Sequence, residues 1–277
     1  MARKTYDELT IQDNFLFQKI MRNKRICKQT LERLLDIDIR DISYPEEEKN
    51  IDVRLDSKSI RLDVYVNDDE GSVFNVEMQT SGDMVELAKR TRYYQAMIDI
   101  DLLEKGQKYK ALNDTFIIFI CTFEAFTGKR HKYTFKNLCI EDMEIDLDDG
   151  TTKMFLSTKG EIDDISRPLK NFLDYVDGCA PADELMKEID TEVELSKSRD
   201  EWRREYMTLA LEIEKEKELS REEGRAEGRA EGRAEGRTEG KIEVIKNLMK
   251  NMKMSAEAAM EAMGIPKEEF SKYMTML

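Results

Sequence analysis

Arg61-Leu62-Asp63-Val64-Tyr65-Val66, then Asn67-Asp68-Asp69-Glu70-Gly71, then Val73-Phe74-Asn75-Val76-Glu77-Met78-Gln79, are two alternating runs around a turn-rich segment. They predict an antiparallel β-hairpin. Side chains alternate across a strand, so Leu62, Val64 and Val66 share a face with Phe74, Val76 and Met78. Arg61, Asp63 and Tyr65 share the other with Asn75, Glu77 and Gln79. A register symmetric about Glu70 sets Asp63 across from Glu77. Two carboxylates opposed on a ladder repel unless something positive stands between them. Their hard oxygen donors suit Mg²⁺ or Mn²⁺. The same alternation also describes the solvent face of a half-exposed sheet, and the hairpin alone leaves both readings open.

The flanking segments place the hairpin in a larger unit. Residues 8–36 read as helical, interrupted near Met21–Arg25, with Phe15, Phe17, Ile20, Ile26, Leu31, Leu34 and Leu35 near helical spacing. Pro45 and Glu46-Glu47-Glu48-Lys49-Asn50 read as a polar loop. Ile51–Leu55 and Ile60–Val66 read as short strands before Val73–Gln79. Residues 83–105 read as a long helix ending at Gly106. Its Leu87, Ala88, Tyr93, Tyr94, Met97, Ile98, Leu102 and Leu103 imply burial on more than one side. Packed at the hairpin's edge, it carries Lys89, Arg90 and Tyr94 toward the carboxylates, which argues against a bare solvent face. Thr115–Phe123 is a continuous apolar run of the kind buried on both sides of a sheet. Lys132–Phe135 and Lys153–Ser157 read as weaker strands, and Pro168–Val176 as a short helix. The order is that of an α/β domain.

Composition narrows the function classes. The 277 residues hold 45 Lys and Arg against 59 Asp and Glu, a formal net charge of −14. Hydrophobic residues at 40% still permit a packed core. No apolar run approaches the roughly 20 residues of a membrane-spanning helix, and the first residues lack an apolar signal-peptide segment. A cytoplasmic protein without membrane partners is expected. Cys27, Cys121, Cys139 and Cys179 share no metal-ligand spacing, and the one histidine, His131, argues against a structural zinc site. Cys121 and Cys139, among apolar neighbours, read as small buried hydrophobes. The acidic balance excludes indiscriminate nucleic-acid binding but permits a local basic groove.

Beyond Gly178-Cys179-Ala180-Pro181 the chain turns charged and helical. Four regions are expected: 1–180, an α/β domain; 181–222, a charged helical region; 223–240, a Glu-Gly-Arg-Ala repeat; and 241–277, a small helical tail. The tetrad repeats from Glu223, is varied at Glu235-Gly236-Arg237-Thr238, and ends at Glu239-Gly240. Glycine costs a helix about 1 kcal/mol relative to alanine. The tract therefore reads as a flexible or partly helical spacer, or as a helix packing along its glycine stripe against neighbouring subunits. In the tail, Ser255-Ala256-Glu257 reads as a helix start and Gly264-Ile265-Pro266 as a turn. That outline fits a helical hairpin or a helix-turn-helix.

Arg61-Leu62-Asp63-Val64 followed by Val76-Glu77-Met78-Gln79 resembles the PD-(D/E)xK nuclease superfamily, with Gln79 where that pattern has lysine. Asp13-Asn14-Phe15-Leu16-Phe17-Gln18-Lys19, and Lys89-Arg90-Thr91-Arg92-Tyr93-Tyr94 leading to Gly106-Gln107-Lys108-Tyr109, resemble its recombination-promoting (Rpn-like) nuclease and transposase branch. The resemblance covers about residues 5–180, and the Glu-Gly-rich tail is similar too. It implies a restriction-endonuclease-like αβββαβ core, a mixed sheet flanked by helices, and Mg²⁺-dependent cleavage of DNA, with Mn²⁺ a substitute. Asp63 and Glu77 are the implied metal ligands, joined by the backbone carbonyl of Met78. Gln79 takes the lysine position, where a neutral amide orients water but carries no charge; Lys89 or Arg90 supplies it instead. Asp13 is either an outer ligand or the N-cap of the helix at Phe15.

Two basic clusters are candidate phosphate contacts. One holds Lys19, Arg22, Lys24, Arg25, Lys28 and Arg33; the other holds Lys129, Arg130, Lys132 and Lys136 beside His131, read as a surface residue. Either is equally a solvated face. The sequence supports a metal-dependent DNA endonuclease tied to recombination or a mobile element, assembled as a homo-oligomer through its tail. The rival is a catalytically inactive nuclease-fold DNA-binding protein or scaffold.

Overall fold

The turn at Asn67–Gly71 sets the register that organises the sheet. In the computed structural model, which describes residues 4–43, 49–51 and 60–277, β3 (Val64–Asn67) pairs antiparallel with β4 (Val73–Gln79), Val64 facing Val76 and Asn67 facing Val73. This is the register symmetric about Glu70. The strand expected over 60–66 is broken, however. Residue 63 is a bend, and Ile60–Leu62 forms β2, paired not with β4 but with β1 (Lys49–Ile51) in a separate two-stranded sheet. Asp63 thus stands where the backbone passes from one sheet to the other. Lys49 and Asn50 belong to β1 rather than to the expected loop. Residues 44–48 and 52–55 of the expected loop and strand lie outside the described residues.

From β4 the chain crosses through α3 (Met84–Leu102) to β5 (Thr115–Cys121), which pairs parallel with β4 in a register that sets Glu77 beside Phe119. Then β6 (Lys132–Phe135) and β7 (Thr151–Ser157) follow, in the order β3-β4-β5-β7-β6. The central run of β5 explains its position: Ile117 to Cys121 are all fully buried, as a strand covered on both faces requires. Leu87, Tyr94, Met97 and Ile98 of α3 pack with Ile117, Phe119 and Phe155 on one face. Phe119 stacks on Phe155 at 5.4 Å and on Tyr94 at 6.4 Å.

α1 (Asn14–Met21) contacts β4, and packs with α2 (Lys24–Leu35) and α5 (Glu184–Lys197); α4 (Arg167–Val176) packs on α2 and α5. Helix begins at Asn14 rather than near residue 8, because Tyr6–Glu8 forms a 3₁₀ turn. α3 buries one stripe, not several: Leu87, Thr91, Tyr94 and Ile98 are covered, while Val85, Tyr93 and Ile100 are exposed. The helix supplies one wall of a sheet, and one stripe suffices for that.

The chain divides into two compact units, residues 1–206 and 207–277. In the first, the start of α6 (Asp200–Met252) is held by Tyr206, whose hydroxyl donates to the Lys4 carbonyl at 2.9 Å and whose ring meets Phe15 at 5.3 Å. In the second, Ile245 gathers Ala259 and Met260 of α7 (Ala256–Ala262), Ile265, and Tyr273 of α8 (Phe270–Met274) into a small core. Ser255 caps α7, accepting from the Ala258 amide at 3.2 Å. The Glu-Gly-Arg-Ala tract is helical throughout, as part of α6. Once turns exist on either side, propagation adds residues without a new nucleus, so the glycine penalties do not interrupt it. A methyl group at Gly224, Gly228, Gly232, Gly236 or Gly240 meets nothing within 4 Å. Among the described residues, no helix is long and apolar enough to cross a membrane.

Candidate active site

The acidic pair is interlocked through the backbone. The Asp63 amide donates to Glu77 Oε1 at 3.2 Å, and the Met78 amide donates to Asp63 Oδ2 at 3.3 Å. The bend at residue 63 permits this, since it frees the Asp63 amide from the ladder. Neither acid faces open water: Asp63 is 8% exposed and Glu77 2%. Asn75 and Gln79, on the same face of β4, are buried as well. The reading of this face as a solvated surface is therefore overturned, because α3 covers it.

Burial, and next the neighbouring Asp63 charge, hold the Glu77 carboxyl well above the usual carboxylate range. One cation stands against it. Arg90, on the covered side of α3, brings Nη2 to 3.3 Å from Glu77 Oε2 and Nη1 to 3.5 Å from Gln79 Oε1. Its guanidinium lies 5.3 Å from the centres of both the Tyr94 and Phe119 rings. Tyr94 is pushed up to about 12, by burial and then by the Glu77 charge. Lys89 is exposed, and among the described residues nothing joins it to the carboxylates. Of the two cations expected to replace lysine, the structure brings Arg90 to the site and leaves Lys89 outside.

Asp13 stands at the N-cap of α1 without a side-chain cap bond. Its carboxylate accepts instead from Lys4 Nζ and the Thr10 amide, each at 2.8 Å. The residue of α1 that reaches the acidic pair is Gln18, whose Nε2 donates to Asp63 Oδ1 at 2.8 Å. Sequence reasoning quoted Gln18 within the Asp13–Lys19 segment but gave it no role; its place in that segment was the signal. Met78 offers its amide to Asp63, and no bond of its carbonyl to the acids is present among the described residues.

The two basic clusters are largely neutralised. Lys19 is buried against Glu205 at 2.6 Å, Lys24 holds Asp41 at 2.9 Å, Lys28 holds Glu32 at 2.6 Å, and Arg33 holds Asp183 at 2.8 Å. Arg25 pairs with Glu188, and Arg22 is half-buried. In the second cluster Lys129 pairs with Glu161, Arg130 with Asp164 and Lys136 with Asp146. Lys132 is half-buried, and desolvation lowers its pKa. His131 is a core residue, not a surface one: it is 2% exposed, with Nδ1 2.9 Å from the Ile162 carbonyl. The thiols of Cys27 and Cys121 are pushed up to about 12 by burial, while Cys139 is only half-buried.

Paired acids at a strand break, with Arg90 of a covering helix against them on a mixed sheet, match a nuclease-type α/β core. The chain belongs to the PD-(D/E)XK nuclease family of transposases, whose family model it matches over residues 13–157. No curated protein and no solved structure gives a significant match. The family is that of a nuclease or transposase-like protein, and its nucleases generally use divalent metals with DNA as substrate.

The residues fit such an ion by the chemistry of their donors. Burial and the neighbouring Asp63 charge raise the proton affinity of Glu77, and neither amide atom of the fully buried Asn75 makes a hydrogen bond of good geometry. Among the described residues no group of three or more Asp, Glu, His or Cys forms a larger ligand set. The carboxylates identified at the site among the described residues are Asp63 and Glu77.

Proposed function

We propose that the protein is a metal-dependent DNA endonuclease acting in recombination or on behalf of a mobile element. The interlocked Asp63 and Glu77, with Arg90 against Glu77, is the observation that carries this reading. Asp63 and Glu77 hold Mg²⁺, or Mn²⁺ in its place, with the Met78 carbonyl as the third donor. When bound, the ion supplies Lewis-acid polarisation of the phosphate and a lowered pKa for water.

The chain's own groups do the rest. Hydrolysis joins a water oxygen to phosphorus and breaks one phosphorus–oxygen bond of the strand, the departing oxygen gaining a proton. Gln79 orients the water through its amide. Arg90 neutralises charge that builds on the phosphate oxygens, the task an ammonium at position 79 performs elsewhere in the superfamily. Tyr94 fixes the plane of that guanidinium, and Gln18 fixes the Asp63 carboxylate.

We further propose a division into residues 1–180 as the nuclease domain, 181–222 as a charged helical region, 223–240 as the repeat and 241–277 as a tail, in a cytoplasmic homo-oligomer paired through that tail. Plasmid nicking with Mg²⁺ or Mn²⁺ by wild type, Asp63→Ala and Glu77→Ala tests the activity. Cleavage by wild type alone is expected, and equal cleavage by all three rejects the site. A second reading, an inactive nuclease-fold scaffold, is favoured by Gln79, whose amide oxygen already faces Arg90. The absence of cleavage by all three proteins with either ion supports that rival.

A further inference from the structure

The segment after α3 has no part in the acidic site, yet it holds a concentration of unpaired positive charge. Lys105, Lys108 and Lys110 lie on an exposed loop, and among the described residues none of their side-chain amines has a hydrogen-bond or ion-pair partner. The contrast is sharp with the cations of α1, α2, α4 and α5, where Lys19, Arg33, Lys170 and Lys187 are each held by an acid. Between the three lysines stands Tyr109, 84% exposed.

The loop is built, not slack. Gly106 has φ +97, a conformation that side chains rarely adopt, and it turns the chain sharply after Lys105. The Glu104 amide donates to Gln107 Oε1 at 3.0 Å, closing that turn. The Ala111 amide donates to the Lys108 carbonyl at 2.9 Å, and the Leu112 amide to the Tyr109 carbonyl at 3.0 Å, a 3₁₀ turn that displays the tyrosine. These bonds draw on the backbone and on Gln107, and leave the side chains of Lys105, Lys108, Tyr109 and Lys110 free to meet something outside.

An aromatic ring between lysines, 84% exposed, matches what a nucleic-acid strand recognises: amines for phosphates and a flat face for a base. The position suits a substrate already held at the acidic pair. Arg90 and Leu102 lie on one helix, about 18 Å apart at 1.5 Å per residue, a few base pairs along a duplex.

We propose that Lys105, Lys108, Tyr109 and Lys110 form a flanking DNA contact, the lysines on the phosphates and Tyr109 stacked on a base at an unpaired stretch. This inference rests on the DNA reading of the acidic pair. It assigns the strand's path to the C-terminal end of α3 and not to either basic cluster expected from the sequence.

The test is fluorescence anisotropy of the full chain in EDTA, where no cleavage intervenes. The probes are a labelled duplex and the same duplex with a central unpaired stretch. The triple variant Lys105→Gln, Lys108→Gln, Lys110→Gln is expected to bind both about tenfold or more weakly, with a log–log salt slope smaller by about 2 to 3. Tyr109→Ala is expected to lose about tenfold on the gapped probe and little on the duplex. A charge-matched control, Lys170→Gln, Lys187→Gln, Lys197→Gln, is expected to bind as wild type does.

Full binding by the loop triple, or an equal loss in the control, overturns the loop assignment and leaves the DNA reading standing. Equal behaviour of Tyr109→Ala and wild type on the gapped probe overturns the stacking contact. A wild type that binds neither probe overturns the DNA reading and the loop with it. Circular dichroism of each variant establishes that a loss of binding is not a loss of fold.

Discussion

Arg90 meets Glu77 across the space between a helix and a strand, its Nη2 3.3 Å from Oε2, so the positive charge at the acidic pair is delivered from outside the strand that carries the acid. Arg90→Ala is expected to lower nicking by about two to three orders of magnitude. Gln79→Lys introduced into Arg90→Ala is expected to recover part of that loss, because it returns a cation to the same space. Rates at saturating Mg²⁺ decide it: an Arg90→Ala enzyme as fast as wild type would refute the assignment.

The raised Glu77 carboxyl makes a pH prediction for the metal-free protein. A carboxyl whose folded pKa is raised keeps the folded chain holding more protons than the unfolded one. Its contribution to stability is full below the usual value of 4.5 and is lost as pH rises through the folded value. Melting in EDTA should therefore fall as pH climbs above 4.5, and Glu77→Gln should remove that part of the slope. Mg²⁺ should raise the wild-type melting temperature at the upper end and leave the variant unmoved. Parallel slopes for the two proteins contradict the account.

Gln18 holds Asp63 Oδ1 at 2.8 Å from a different helix. Gln18→Ala is expected to raise the Mg²⁺ concentration for half-maximal nicking about 10- to 100-fold, as loss of a partner to a metal-binding carboxylate does. The maximal rate should change less. An unchanged metal dependence removes Gln18 from the site.

Much of this was legible from local pattern. The turn at Asn67–Gly71 fixed the pairing of Val64 with Val76, and the unbroken run at Thr115–Cys121 marked a strand covered on both sides. What escaped were consequences of contacts remote in the chain. Arg33 meets Asp183 at the N-cap of α5 and Lys19 meets Glu205 of α6, so cations of the first cluster that looked free along the sequence are neutralised by acids far off in the chain. His131 sits among Lys129, Arg130 and Lys132, and nothing local tells that Ile162 and Asp164 fold over it. The bend at Asp63 was hidden because alternation of side chains survives a change of pairing partner.

That burial of His131 gives a stability prediction. A methyl group at Gly160 falls 2.4 Å from the His131 ring and 2.6 Å from its backbone nitrogen. Gly160→Ala is expected to destabilise the fold by about 1–3 kcal/mol, because backbone cannot yield as a side-chain tip does. Urea unfolding of the two proteins at matched pH is the measurement, and an unchanged midpoint is the contrary result.

For the tail, alanine at Gly224, Gly228, Gly232 and Gly236 should strengthen the helix by about 1 kcal/mol at each site, since nothing among the described residues obstructs the methyl. If the stripe is a seam between subunits, the same four methyls hold the helices apart. We expect helicity by circular dichroism to rise while the mass by light scattering falls. A rise in both rejects the seam.

Asp63 belongs to neither ladder, standing between β2 of the small sheet and β3 of the large one. Ile51, Ile60 and Leu62 of the small sheet are buried in one core with Leu87 and Ile98 of α3. The packing that seats the small sheet on the helix is therefore also what holds one carboxylate beside the other.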